Sequence, residues 1–364
     1  KAFTNDELET LAAMIPQYVE PELIRVRIKE RDEFGVTRKR SVAVSNTSET
    51  IRMRKNIQLI NKALSKYWYD LEISNEELNS LQFRLADEVQ NQRTIRMDHR
   101  SLYRVFNSVD LETGGRFYGG WWQNIPREYR QHLIVNGKRM VELDYSNQHP
   151  TILYAKLGYT PPADCYAGVI DQLPLQNVVA RTEVRDMVKA SFNAMLNSTK
   201  PLKQAPTGIN PGKFGMKWSD ITNAIMGFHE PIAHNFYTGV GLRLQRLDSD
   251  IAEKILLHFA TQGIAILPLH DSFLMHEGYE SWLEPVMIAA FEKVVGISPK
   301  ITKKLSNLIT IKDGLGDRRT LDAPTTKNLL NIINSMPGHE KRLHTFLGLS
   351  SKSEKSDEFV YQSF

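Results

Sequence analysis

Apolar and polar positions along this chain recur with helical and strand periods in turn. Residues 5–20 set Leu8, Leu11, Ala12 and Ile15 at helical spacing. Over 23–44 the run Leu23-Ile24-Arg25-Val26-Arg27-Ile28 alternates, Glu33-Phe34-Gly35 reads as a turn, and Ser41-Val42-Ala43-Val44 returns, which predicts a hairpin. A basic helix is expected from Arg52 to Tyr69, and a second helix from Glu76 to Gln92 with Leu78, Leu81, Leu85 and Val89 inward. Val141 and Leu143 alternate with Glu142, a half-buried strand that ends on Asp144 and runs into Tyr145-Ser146-Asn147-Gln148-His149-Pro150. Residues 181–197 predict a helix with Val184, Val188 and Phe192 on one face. Residues 199–230, rich in Pro, Gly, Lys and Asn, read as a loop excursion. Asp248 to Gln262 is expected to be helical, with Ile251, Ile255, Leu256 and Phe259 inward. It feeds a second apolar run, Ile264 to Leu269, which ends on His270-Asp271-Ser272, and 281–296 predict a further helix.

With 364 residues, 41% hydrophobic and 24% charged, the chain has the composition of an ordinary globular protein of one large or two moderate domains. No apolar run is long enough to span a membrane, and Lys1-Ala2-Phe3-Thr4-Asn5-Asp6-Glu7 lacks the apolar core of a signal peptide. Cys165 is the single cysteine, which excludes an intramolecular disulfide and a multi-cysteine zinc site and suits a reducing cytoplasm. The net charge of +4 says little about partners. Its clustering says more: Arg38-Lys39-Arg40, then Arg52, Arg54 and Lys55, then Arg93, Arg96 and Arg100 are either phosphate contacts or solvated basic faces.

The candidate chemistry starts from the two acid-terminated strands. Taken singly, an aspartate at a strand end serves as readily as a turn or capping residue. Side by side, Asp144 and Asp271 would form an oxygen-rich negative site of the kind that hard divalent cations such as magnesium occupy. Between them Arg181, Arg185 and Lys189 recur every four residues, a row of cations suited to the oxygens of a triphosphate. Upstream, Glu112-Thr113-Gly114-Gly115-Arg116-Phe117-Tyr118-Gly119-Gly120-Trp121-Trp122 combines glycines that permit close backbone approach, a guanidinium fork and aromatics that can stack on bases.

These stretches resemble, in order, the motifs of the family A DNA polymerase and phage-type single-subunit RNA polymerase superfamily. Gly114-Gly115-Arg116 resembles its Gly-Arg motif, with Glu112 where the family has Asp or Thr. Asp144-Tyr145-Ser146 resembles motif A, Arg185-x-x-x-Lys189 motif B and His270-Asp271-Ser272 motif C. Ile57 to Leu64 is similar to a helix of the RNA polymerases with an Ile-Asn-Lys core, and Gln123-Asn124-Ile125-Pro126 to a stretch of the DNA polymerases. Ser272 follows the RNA enzymes and Tyr145 the DNA enzymes, while the aromatic tail Phe359 to Phe364 is a loose likeness to the RNA polymerase C-terminus. His149 stands where the family carries a sugar-reading Glu or Gly, and Asn197 and Ser198 where it carries Tyr and Gly.

The resemblance implies an α+β right hand. Residues 1–125 would be a reduced thumb-like or template-side part, 126–160 and 246–364 an antiparallel palm sheet, and 161–245 helical fingers. It implies a DNA-directed RNA polymerase in which Asp144 and Asp271 hold two Mg2+ ions, Lys189 and Arg185 neutralise the triphosphate, and His270 orients an acid or the primer end. Arg181, Asn197, Tyr145 and His149 would face the nucleotide, and Arg116, Gly115 and Ser272 the nucleic acid. Partners would be a DNA template, the RNA product and NTPs. With only about 115 residues ahead of the Gly-Arg motif, a second subunit is expected to supply promoter or template recognition, as in the small two-subunit phage RNA polymerases of an infected bacterial cytoplasm. A compact DNA polymerase and a non-catalytic nucleic-acid-binding relic are the rival readings, with template-free tailing a lesser one.

Overall fold

The computed structural model describes residues 21–31, 36–87, 95–175, 181–304, 310–312 and 318–320. The expected helix over 5–20 and the aromatic tail lie outside these residues, as do the Glu33–Gly35 turn, Arg93 and the end of the second expected helix.

The acid-bearing strand runs from Lys138 to Tyr145 and is buried at every position from Met140 to Leu143. The expected alternation is therefore lost, because odd and even positions are both covered. Taking β1 to β6 as Ile24–Arg31, Thr37–Val42, Tyr69–Leu71, Tyr103–Phe106, Gly114–Tyr118 and Leu133–Val135, this strand is β7. Then come β8 (Leu267–Leu269), β9 (Ser272–His276) and β10 (Ile301–Lys304). An antiparallel sheet of order β3-β6-β7-β9-β8 is completed by β10, which pairs with the C-terminal half of β7. Asn136 and Gly137, both at positive φ, close the β6–β7 hairpin, a turn for which Asn-Gly is the preferred pair. A second sheet has the order β2-β1-β4-β5, and a separate two-stranded ribbon pairs β11 (Thr310–Lys312) with β12 (Arg318–Thr320).

The helices are α1 (Ser48–Ser65), α2 (Asn75–Ala86), α3 (Gln148–Lys156), α4 (Ala167–Ile170), α5 (Arg181–Asn197), α6 (Trp218–Phe228), α7 (Gly241–Ala260) and α8 (Glu280–Val295). The α+β class expected from the sequence is what is observed. Several boundaries differ. Thr47 caps α1 with Thr50 in a reciprocal box, so it starts before Arg52, and it ends at Ser65 because Tyr69 belongs to β3. Within the expected loop excursion lie a 3-10 turn at Pro211–Phe214 and the whole of α6, whose Ile221, Ala224 and Ile225 are buried. Residues 264–266 are not strand, since β9 pairs only with 267–269.

α7 joins the two sheets. It packs on β5, α1 and α8 and buries Leu244, Ile251, Ile255, Leu256 and Phe259. It also carries buried polar groups toward β4. The fully buried Arg104 donates from Nε to the Gly115 carbonyl at 2.7 Å, from Nη2 to Ser249 Oγ at 2.7 Å and from Nη1 to Glu253 Oε2 at 3.2 Å. Burial pulls its pKa down to about 10, so it stays charged, and these bonds fix the edge of the second sheet against α7. No helix among the described residues is long and apolar enough to cross a membrane.

Candidate active site

Asp144 and Asp271 are brought together by the β7–β9 pairing. Asp144 lies opposite Ser272 in the ladder, and the Tyr145 N–H donates to the Asp271 carbonyl at 3.4 Å. Asp271 sits in the two-residue turn between β8 and β9, where His270 holds φ at +65°. For a residue with a Cβ this is a costly conformation, of order 1 kcal/mol or more, held here by the strands on either side. Burial, and then the charge of Asp271, raise the Asp144 carboxyl above its ordinary value. An acid whose ionisation is opposed by a neighbouring acid marks a site of concentrated negative charge.

Part of that charge is met by Lys304, which the sequence did not single out. At the end of β10 its ammonium bonds Asp144 Oδ2 at 2.8 Å and Glu142 Oε1 at 2.6 Å. Glu142 also accepts from Ser272 Oγ at 2.7 Å and lies 3.8 Å from Arg130. Burial alone would raise the Glu142 carboxyl; Lys304, Ser272 and Arg130 together hold it below the usual range.

A second cluster adjoins the pair. Asp248, on α7 and almost wholly buried, accepts from Arg116 Nη2 at 2.6 Å and lies 2.8 Å from His149 Nε2. These two partners outweigh burial and keep Asp248 ionised. Arg116 also feels Asp271, and the two acids overcome the effect of burial and raise its pKa. Burial and the charge of Arg116 lower the pKa of His270, whose ring meets Tyr118 edge-on at 5.4 Å. His270 is therefore a neutral imidazole at pH 7.

The cation row on α5 divides. Arg185 donates to Asp164 Oδ2 at 2.8 Å, and its guanidinium lies 5.4 Å from the Tyr166 ring centre. Lys189 is exposed, with its ammonium 6.0 Å from the same ring. Burial is the main cause that raises the buried Tyr166 hydroxyl, with the charge of Asp271 a smaller one. Arg181 points elsewhere, paired with Asp171 on the surface.

Other expected site residues require correction. The Tyr145 ring is in the core against Phe273 and Phe291, with its hydroxyl donated to the Met287 carbonyl at 2.6 Å, so that side chain faces away from a nucleotide. Ser272 is buried on Glu142 rather than open to nucleic acid. Gly115 sits at φ +82°, where a Cβ would collide with Phe106, Ser249 and Arg104, so its role is close packing. Asn197 is exposed and donates to the Asn193 carbonyl within its own helix. Asp248 carried a sequence signal: four residues after Leu244 and three before Ile251, it is an acid on the apolar stripe of its helix.

Among the described residues no group of three or more His, Cys, Asp or Glu side chains is placed to hold a metal. Two facing carboxylates, one raised by the other's charge, nevertheless suit magnesium, which takes one or two carboxylates and fills its shell with water and substrate phosphate.

No protein-family profile matches this chain, and no curated protein matches it. Among solved structures it is similar to the POL domain of Pol1 from M. smegmatis, in complex with DNA primer-template and dNTP. That likeness has a TM-score of 0.36 at 13% identity, covering 83% of this chain. The chain spans 60% of the length of that domain, and a likeness this loose carries neither fold nor function by itself.

Proposed function

We propose that the chain is the catalytic core of a template-directed nucleotidyltransferase, a DNA-directed RNA polymerase in which Asp144 and Asp271 hold divalent metal. The observation that carries this reading is the β7–β9 pairing, which brings two strand-end aspartates side by side, where burial and then the charge of Asp271 raise the Asp144 carboxyl. A binding relic has no use for two acids held against their mutual repulsion.

When bound, magnesium at this pair would lower the pKa of an attacking 3′-hydroxyl and neutralise charge on the departing phosphate. The chain's own residues supply the rest. Lys304 balances Asp144 while the pair stands alone and has Glu142 as its second partner when a cation takes over Asp144. Lys189, exposed near Tyr166 and with no ion pair among the described residues, would meet triphosphate oxygens and donate the proton to pyrophosphate. Arg185 is held by Asp164, whose other oxygen accepts the N–H groups of Tyr166 and Ala167, so it orders this corner as well as adding charge. Arg116, set by Asp248, presents its guanidinium beside the site to a nucleic-acid backbone.

His149 is committed to Asp248, so a sugar preference would be set by the pair and not by the imidazole alone. The test is extension of a primed RNA–DNA scaffold with magnesium, with NTPs and dNTPs supplied separately and Asp271→Asn as control. Extension by NTPs that disappears in the control is the expected result. Extension by dNTPs alone would make the chain a compact DNA polymerase, and no extension with either would refute a self-sufficient catalytic core.

A further inference from the structure

The open face of the β2-β1-β4-β5 sheet is a basic, aromatic surface that leads to the carboxylate pair. Along β1, Ile24 and Val26 are buried, while Arg25, Arg27 and Lys29 alternate with them on the other face. The register extends that face across the sheet. Lys39 lies opposite Lys29, Val105 beside Arg25, Tyr118 opposite Tyr103 and Arg116 opposite Val105. Burial agrees strand by strand: Arg104, Phe106 and Phe117 are buried on the reverse face, whereas Tyr103, Val105, Arg116 and Tyr118 are partly exposed.

The contacts on this face run in series. The Arg25 guanidinium covers one side of the Tyr103 ring at 3.7 Å, and Tyr103 and Tyr118 lie 6.4 Å apart at 32°. Tyr118 then meets His270, the neighbour of Asp271. Among the described residues Arg27, Lys29 and Lys39 form no ion pair, whereas on the reverse face Arg40 is neutralised by Glu30. Unpaired cations between strands, with tyrosines one strand apart, match a polyanion whose flat bases are open to stacking. A duplex hides those faces. Strands are about 4.8 Å apart, so the path from β2 to β5 is about 14 Å, enough for three or four nucleotides.

We infer that this sheet face binds single-stranded DNA and conducts it toward the Asp144–Asp271 site. The choice of DNA rests on the proposed function, in which DNA is the template; the binding surface does not. The test is anisotropy of a labelled oligothymidine with the full chain, over a series of potassium chloride concentrations, without divalent metal or nucleotide. Single-stranded RNA and hairpin duplex DNA serve as competitors.

Replacing Arg27, Lys29 and Lys39 together by alanine is expected to reduce the salt slope by about two and to weaken binding at least tenfold at low salt. Tyr103→Leu is expected to weaken binding about tenfold with the slope unchanged. Circular dichroism and melting midpoints of both variants establish that they fold. Should Tyr103→Leu not fold, cross-linking of iododeoxyuridine to the wild-type chain replaces it, with adducts expected on Tyr103 or Tyr118. Adducts confined to other regions, an unchanged slope in the triple variant, or better competition by RNA or duplex would overturn the proposal. Failure of primer extension with binding intact would strike only the catalytic reading.

Discussion

Lys304 Nζ lies 2.8 Å from Asp144 Oδ2, reaching it from the strand next door while it also bonds Glu142. One ammonium thus serves two acids of β7. Lys304→Met leaves Glu142, which is almost buried, with Ser272 and a longer contact to Arg130. Loss of one partner of a partly buried pair costs about 1–3 kcal/mol, which urea unfolding would register. The variant should also gain more stability from added Mn2+ than the wild type does, since the metal replaces the missing positive charge. Equal stability and an equal response to Mn2+ would show that Lys304 is an ornament of the surface.

Asp271→Asn separates chemistry from stability. It removes the repulsion that helps to raise the Asp144 carboxyl and, with it, the attraction to Arg116, so stability at neutral pH should change by less than about 1 kcal/mol while extension disappears. A loss in metal-free buffer well above that figure, with extension retained, would mean that Asp271 is a structural turn residue.

The α5 helix and strand β1 were legible because each obeys one period over its whole length, and β7 was legible as a short apolar run that ends on an acid. α6 was not, since Pro, Gly and Lys on either side of Trp218–Phe228 mask a short apolar stripe. The two aspartates were legible as strand ends. Lys304 was not, because its value depends on β10 returning to β7 across some 160 residues of sequence, which no local pattern reports. Tyr145 was misplaced because strand alternation turns the neighbour of Asp144 to the opposite face. Ser272 shares the face of Asp144, its ladder partner, but is buried on Glu142, a pairing across about 130 residues that no local pattern reports.

Asp248 is expected to be the most costly single charge to remove. Asp248→Asn leaves Arg116 and His149 facing a neutral amide in a buried setting, a loss of about 3 kcal/mol. A double-mutant cycle with Arg116→Met measures their coupling directly. A coupling near zero would mean that the 2.6 Å contact holds nothing in place.

Acid should unfold this protein from near neutrality. His229 is fully buried, with Nε2 2.8 Å from the Cys165 carbonyl and Nδ1 3.0 Å from the Tyr154 hydroxyl. A carbonyl only accepts, so Nε2 carries the proton and Nδ1 accepts from Tyr154. Burial pulls the His229 pKa down to about 4, and burial with the charge of Lys138 does the same for His276. Both values are depressed, so the unfolded chain takes up protons first, near pH 6.5. Stability present above that pH is lost as pH falls from about 6.5 to about 4, with a slope approaching 2.7 kcal/mol per pH unit from the two groups. In His276→Gln the slope between pH 6 and 5 should drop by about one proton; an unchanged slope would refute the assignment.

The α5 cations give the sharpest test of the nucleotide site, because three residues of like charge at equal spacing have unlike surroundings. Arg181 is spent on Asp171 at the surface, Arg185 on Asp164, and Lys189 is exposed beside Tyr166. A general basic face would make the three alanine variants equivalent. A triphosphate site makes them differ. Lys189→Ala is expected to lower kcat/KM for NTPs by about a hundredfold or more, the scale for loss of one charge that meets the transferring phosphate. Lys189→Arg should recover part of it, since the charge returns with different geometry. Arg181→Ala should stay within about twofold, because an exposed ion pair contributes little. Arg185→Ala should lower kcat/KM and stability together, as Asp164 and Tyr166 lose their tether. Steady-state incorporation on the primed scaffold, with unfolding curves for each variant, separates these outcomes, and an Arg181→Ala loss equal to that of Lys189→Ala would remove α5 from the nucleotide site.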